Sequence, residues 1–77
     1  MPKAINDVLD ELKSMLKGRK VVTFDWDSFR ELNDIERWKG ARGEELWKKG
    51  LTVGIVVAQG DNAVIVCRDK NFDPLAP

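Results

Sequence analysis

Two carboxylates, Asp25 and Asp27, sit among three aromatic rings in the stretch Thr23-Phe24-Asp25-Trp26-Asp27-Ser28-Phe29. Paired carboxylates can do general acid/base work if burial holds one of them protonated, or can share a hard cation if further ligands converge. On a strand, residues two apart point the same way, so the pair could act together only if the strand ran on through Ser28. The chain has no histidine to complete a transition-metal site or to serve as a neutral base. It also lacks the oxygen-rich calcium-loop spacing, with its sixth-position glycine and twelfth-position glutamate. A simpler chemistry accounts for the same residues. Ser28-Phe29-Arg30-Glu31 matches the capping box, in which serine and glutamate satisfy orphan backbone donors at a helix start. Asp25 and Asp27 would then precede a helix N-terminus, whose partial positive charge favours carboxylates. The expectation is a strand turning into a capped helix, with no catalytic, cofactor-binding or metal-binding residues. A metal-dependent enzyme using Asp25 and Asp27 ranks last of three functional readings.

The elements around this junction follow from periodicity. Ile5, Val8, Leu9, Leu12, Met15 and Leu16 recur at the three-and-four spacing of one helix face, with Asp7, Asp10, Glu11 and Lys13 on the other. Pro2 suits a helix start, and Gly18 suits the left-handed residue just past a helix end. Lys20 to Trp26 reads as a strand, with Val22, Phe24 and Trp26 on a core face. Its other face, Val21, Thr23 and Asp25, is mixed and points to an edge position. Leu51–Ala58 and Ala63–Arg68 are β-rich runs around Gln59-Gly60-Asp61-Asn62, a hairpin signal. With Gly60-Asp61 as central turn residues, Val57 would face Val64 and Ile55 would face Val66. Val53, Ile55 and Val57 share a bulky face with Val64 and Val66. Gly54, Val56, Ala58, Ala63, Ile65 and Cys67 form a smaller one, which a helix could approach closely. Both faces are apolar, so the strands are expected to be covered on both sides, one by the first helix and the other by the 28–50 segment or a second subunit.

Residues 28–50 resist a single periodicity. Phe29, Leu32, Ile35 and Trp38 step by three, which drifts around an ideal helix and leaves open one bent helix or two short ones. Glu44-Glu45-Leu46-Trp47-Lys48-Lys49-Gly50 carries acids first, bases last and glycine beyond, as a short helix prefers. The predicted fold is a single compact α+β domain over residues 1–70, in the order α-β-α(α)-β-β. It has a three-stranded sheet with a C-terminal antiparallel hairpin packed against helices, and residues 71–77 form an extended tail. The connection from the first strand to the second is long enough for a parallel crossover.

A helix, the Gly40-Ala41-Arg42-Gly43 stretch, a second helix and then a strand resemble the core of a KH domain over residues 20–58. That resemblance implies a loop clamping the backbone of single-stranded nucleic acid, with Arg42 supplying charge. Trp38 and Trp47 flank this stretch, beside Lys39 and Lys48, and could cover the sheet or serve as exposed platforms for bases or as interface anchors.

Composition limits the rest. Among 77 residues, 13 basic and 13 acidic side chains cancel, which disfavours bulk adhesion to nucleic acid or anionic membrane. The charges are nonetheless blocked. Lys17, Arg19 and Lys20 form a basic knot; Asp25, Asp27, Glu31, Asp34 and Glu36 follow, relieved by Arg30 alone. Such blocks suit a protein that pairs with itself, acidic patch to basic patch. One cysteine, Cys67, allows no internal disulfide and reads as a buried small hydrophobe, and a reducing cytoplasm is the simplest compartment. The longest apolar run, Ala63–Cys67, is far too short to cross a bilayer. The functional expectation is a small non-enzymatic binding or regulatory protein acting through protein–protein contacts, self-associating as a homodimer or binding another protein. A single-stranded nucleic-acid module is the alternative. The candidate interaction residues are Trp38, Lys39, Arg42, Trp47 and Lys48.

Overall fold

The structure is a computed structural model, which describes residues 2–69. The tail expected over residues 71–77 lies outside the described residues. Helix α1 spans Ile5–Met15, strand β1 Val21–Asp25, helix α2 Trp26–Leu32, helix α3 Gly40–Thr52, strand β2 Ile55–Gln59 and strand β3 Ala63–Arg68. The α-β-α-α-β-β order and the three-stranded sheet agree with the sequence reading. The region that left one bent helix or two short ones open resolves into two helices joined by residues 33–39.

The sheet order is β1-β3-β2, with β3 antiparallel to both neighbours. β1 and β2 therefore run in the same direction but never touch; the last strand inserts between them. Register follows Val22↔Val66↔Val57 and Phe24↔Val64↔Gln59. The expected partners Val57–Val64 and Ile55–Val66 are thus corrected by two residues. Gly60 N–H donates to Ala63 O at 2.9 Å, which makes Asp61 and Asn62 the central loop residues rather than Gly60 and Asp61. Gly60 does not adopt the positive φ that the glycine-first turn requires, unlike Gly18 and Gly54. The Trp26 indole N–H donates to Gly60 O at 2.8 Å, tying the hairpin tip to the end of β1. A slip of two preserves the parity of side chains, so the facial assignments survive while the pairs change.

One face of the sheet carries the core. Val22, Phe24, Ile55, Val57, Val64 and Val66 pack with Ile5, Val8, Leu9, Leu12 and Leu16 of the first helical segment, with Phe29 and with Leu46. All three helices lie against this bulky face. The expectation that a helix would approach the smaller face is therefore corrected. Met15, placed on the apolar stripe of α1 by spacing, is 39% exposed at the helix end, while Leu16 is fully buried.

Helix α3 is longer than its sequence implies, and two glycines explain why. Gly43, Leu46 and Gly50 form its buried stripe. A Cβ at Gly50 would stand 3.0 Å from Ile55 O and 3.6 Å from Val57 Cγ2; one at Gly43 would collide with the Gln59 side chain. Interior glycine costs a helix about 1 kcal/mol relative to alanine, which close packing on β2 offsets here. The left-handed residue ending the helix is Gly54, at φ +81°, not Gly50. Leu51 and Thr52, expected in a strand, complete the last turn, and the Thr52 hydroxyl donates to Lys49 O at 2.7 Å.

Candidate functional site

At the β1–α2 junction the strand ends at Asp25, and the helix begins at Trp26. Asp25 is the N-cap: its Oδ1 accepts from Ser28 N–H at 2.7 Å. The expected cap, Ser28, is instead the residue that is capped. Those hydrogen bonds from Ser28, backbone first and side chain second, hold the Asp25 carboxyl below the usual carboxylate range. Asp27 lies in the first turn of α2 and pairs with Arg30. The strand does not persist through Ser28, so the two aspartates are not aligned as neighbours on one strand face. Among the described residues, no group of three or more His, Cys, Asp and Glu side chains is placed to hold a metal ion.

The rings around this junction form one cluster. Phe29 is fully buried, with centroids 5.5 Å from Phe24, 6.0 Å from Trp26 and 5.4 Å from Trp38; Trp26 and Trp38 are 5.3 Å apart. Trp38, partly buried, therefore fastens the 33–39 connection to the core.

Gly40-Ala41-Arg42-Gly43, expected as a loop, is the first turn of α3. Arg42 N–H and Gly43 N–H both donate to Lys39 O, at 3.1 and 3.2 Å. The Arg42 guanidinium turns inward onto a knot. Its Nε and Nη2 donate to Asn33 Oδ1 at 3.1 and 2.9 Å, and Nη2 also donates to Lys3 O at 2.6 Å. Asn33 is fully buried; its Nδ2 donates to Phe29 O at 2.8 Å, and its backbone O accepts from Lys3 N–H at 3.0 Å. Burial draws the Arg42 pKa down from the usual arginine value, with Glu45 acting in the opposite sense. Lys39 is exposed at the N-cap position of α3, with no side-chain cap bond. Lys48 pairs with Glu44 at 3.1 Å on the solvent side, and Trp47 is 42% exposed. At about 100° per residue, Trp47 and Lys48 lie roughly 140° and 120° from Arg42, in opposite senses. The five candidate residues thus divide: Trp38 and Arg42 hold the fold, and Lys39, Trp47 and Lys48 remain on the surface.

A different surface emerges opposite the helices. Across the sheet, Val21 stands beside Cys67 and Val56, Thr23 beside Ile65 and Ala58, and Asp25 beside Ala63. Ile65 and Val21 are 43% and 41% exposed, and Cys67 is buried. Burial, with Asp69 nearby, pushes the Cys67 thiol pKa up and keeps it protonated near neutrality. Antiparallel sheets open to water on one side ordinarily alternate to polar residues there. This face carries Thr23 and Asp25 as its polar members.

The two sheet edges also differ. The bonds Gly60 N–H to Ala63 O and Asp69 N–H to Gly54 O mark the hydrogen-bonded pairs of β2 with β3. Alternation then turns the backbone groups of Ile55, Val57 and Gln59 outward from β2, and those of Val21, Thr23 and Asp25 outward from β1. On β2, α3 covers that edge: Ile55 and Val57 are 1% and 0% exposed, and Gln59 Nε2 donates to Gly43 O at 2.9 Å. On β1, Val21, Thr23 and Asp25 are all exposed. The alternation of Val21, Thr23 and Asp25 was the signal of this edge in the sequence; the covering of β2 had none.

A cleft of about 470 Å³ lies between the end of α1 and the start of β2, lined by Lys13, Val53, Gly54, Ile55, Arg68 and Asp69. It brings together two cations and one carboxylate without a nucleophilic side chain. No helix among the described residues is long and apolar enough to cross a membrane. Comparison of the chain with protein-family models, with curated proteins and with solved structures finds no match.

Proposed function

We propose that this chain is a small non-enzymatic binding domain that acts through contacts with protein, using the sheet face opposite its helices. The observation that supports this reading is an apolar surface of exposed Val21, Ala58 and Ile65 with half-buried Val56, on a sheet whose other face is already filled by the core. Three strands about 4.8 Å apart and about 17 Å long offer a footprint of roughly 250 Å². A standard interface takes roughly 800 Å² from each partner, so contact through this face alone belongs to the weak and transient class. A photo-crosslinking residue in place of Ile65 should yield a protein adduct in cells, lost on Ala58→Asp, whereas the same residue in place of Lys48 should not. Absence of any protein adduct at position 65 would overturn the reading.

The nucleic-acid alternative makes a different demand. The Arg42 guanidinium is committed to Asn33 and Lys3, which leaves Lys39 as the exposed cation at the start of α3. Salt-sensitive retention of a single-stranded oligonucleotide, abolished by Lys39→Glu with Ala41→Asp, would favour that alternative. No retention is expected.

A further inference from the structure

We infer that the occupant of the open β1 edge is a second copy of this chain, paired antiparallel strand to strand about Thr23. This goes beyond the sheet-face reading by adding a contact at the β1 edge of the same sheet, which would double that face. Three observations converge. First, β1 presents the outward backbone groups of Val21, Thr23 and Asp25 to solvent, whereas α3 closes the edge of β2. An uncovered edge is a template for another strand, and β1 contains neither proline nor lysine to discourage pairing.

Second, the outward groups are self-complementary. With Thr23 opposite Thr23 of the second copy, Val21 falls opposite Asp25 and Val22 opposite Phe24. Both members of the central and Val21–Asp25 pairs turn their backbone groups toward each other, as a hydrogen-bonded antiparallel ladder requires. The two copies are then related by a two-fold axis through Thr23, an isologous contact that closes on itself.

Third, the charges match in that register. Arg19 and Lys20 immediately precede β1, both exposed, and no ion pair among the described residues engages either. The strand's last residue is Asp25, and Asp27, which pairs with Arg30, follows in the first turn of α2. Antiparallel pairing brings the basic end of each copy to the acidic end of the other, twice. A parallel pairing would set like charge against like. The chain's zero net charge adds no long-range repulsion between copies. The product is a continuous six-stranded sheet, in which the two apolar faces of Val21, Ile65 and Ala58 join into one.

Sedimentation equilibrium of the full chain between about 10 µM and about 1 mM should show reversible dimerisation, since a small interface implies affinity in this range. Amide exchange at Val21 and Thr23 should slow as concentration rises, because those N–H groups face solvent in the monomer. Thr23→Pro removes an outward donor that the monomer's own ladder does not use. It should weaken dimerisation by roughly tenfold or more while leaving the circular dichroism spectrum unchanged. Arg19→Asp should also weaken it, and Arg19→Asp with Asp27→Arg should restore it. A monomer at the highest concentration would overturn the inference. So would a dimer insensitive to Thr23→Pro and to the Arg19–Asp27 exchange, or one whose Val21 and Thr23 amides exchange at the same rate at every concentration. These failures differ from failure of the protein-contact reading, which is decided by the adduct at position 65.

Discussion

Single residues at the helix starts do structural work that their chemistry first disguises. Asp25 looks like half of a carboxylate pair and acts as a cap, so its charge matters through one backbone donor at 2.7 Å. Asp25→Ala should lower the melting temperature more than Ser28→Ala, because the backbone N–H of residue 28 survives the second change. The pH dependence carries a sign. A carboxyl whose folded pKa is depressed contributes stability that is present above its unfolded value, near 3.8, and lost as pH falls through the lower folded value. Acid titration of thermal stability below about pH 4 should therefore be shallower in Asp25→Asn than in the parent. Arg42 makes the same point for a cation. Arg42→Ala leaves Asn33 Oδ1, in a fully buried side chain, without its donors and should cost about 1–3 kcal/mol in chemical denaturation. Lysine there should not restore the loss, because it cannot reproduce the fork that spans Asn33 and Lys3.

At the scale of elements, α3 shows why glycine spacing can be misread. Gly40, Gly43 and Gly50 punctuate the sequence as loop residues would. Two of them instead face β2, where the absence of a side chain lets helix and strand approach closely. A methyl group added at Gly40 would meet no atom within 4 Å. Gly40→Ala should therefore stabilise the domain by about 0.5–1 kcal/mol. Gly50→Ala, at a helical position of the same type, should destabilise it, because the new methyl meets Ile55 O and Val57. Opposite signs from the same substitution, measured by denaturant midpoint, are the expected outcome. Equal gains would mean that α3 does not sit tightly on β2. The short helix α2 ends by a related device: Asp34 takes φ +57°, while Ile35 N–H donates to Arg30 O and Asp34 N–H to Glu31 O. This pattern closes the helix without glycine.

Among the described residues the molecule is two layers, helices over one sheet face, with the second face open. Neighbouring residues on β3 report the two environments. Val66 is fully buried and Ile65 is 43% exposed. Val66→Ala should cost about 2 kcal/mol through lost burial and the cavity left behind. Ile65→Lys should change monomer stability by no more than about 0.5 kcal/mol and raise solubility by breaking the apolar face. Comparable destabilisation by both changes would mean that the face is covered within a single chain. A chain of this length buries a modest share of its surface and gains proportionately from any contact that covers more.

Much of this architecture can be read from local spacing. The apolar stripe of α1, the alternation in β1, the hairpin dipeptide region and the left-handed Gly18 each depend on residues a few positions apart, so the sequence alone determined the order of the elements outside residues 28–50 and the two faces of every strand. Tertiary contacts decided the rest. The two-residue register is consistent with a hairpin tip held by Trp26, 34 positions away from Gly60. The inward turn of Arg42 depends on Lys3, 39 positions away, and it removed a side chain that spacing had offered to a partner. Which sheet face the helices cover, and which edge α3 closes, follows from how the long β1–β2 connection folds back over the sheet. Periodicity marks a face as apolar but carries no information about what comes to lie on it. That is settled only when segments distant in sequence compete for the same surface, and here the bulkier face gained the helices while the smaller one stayed open.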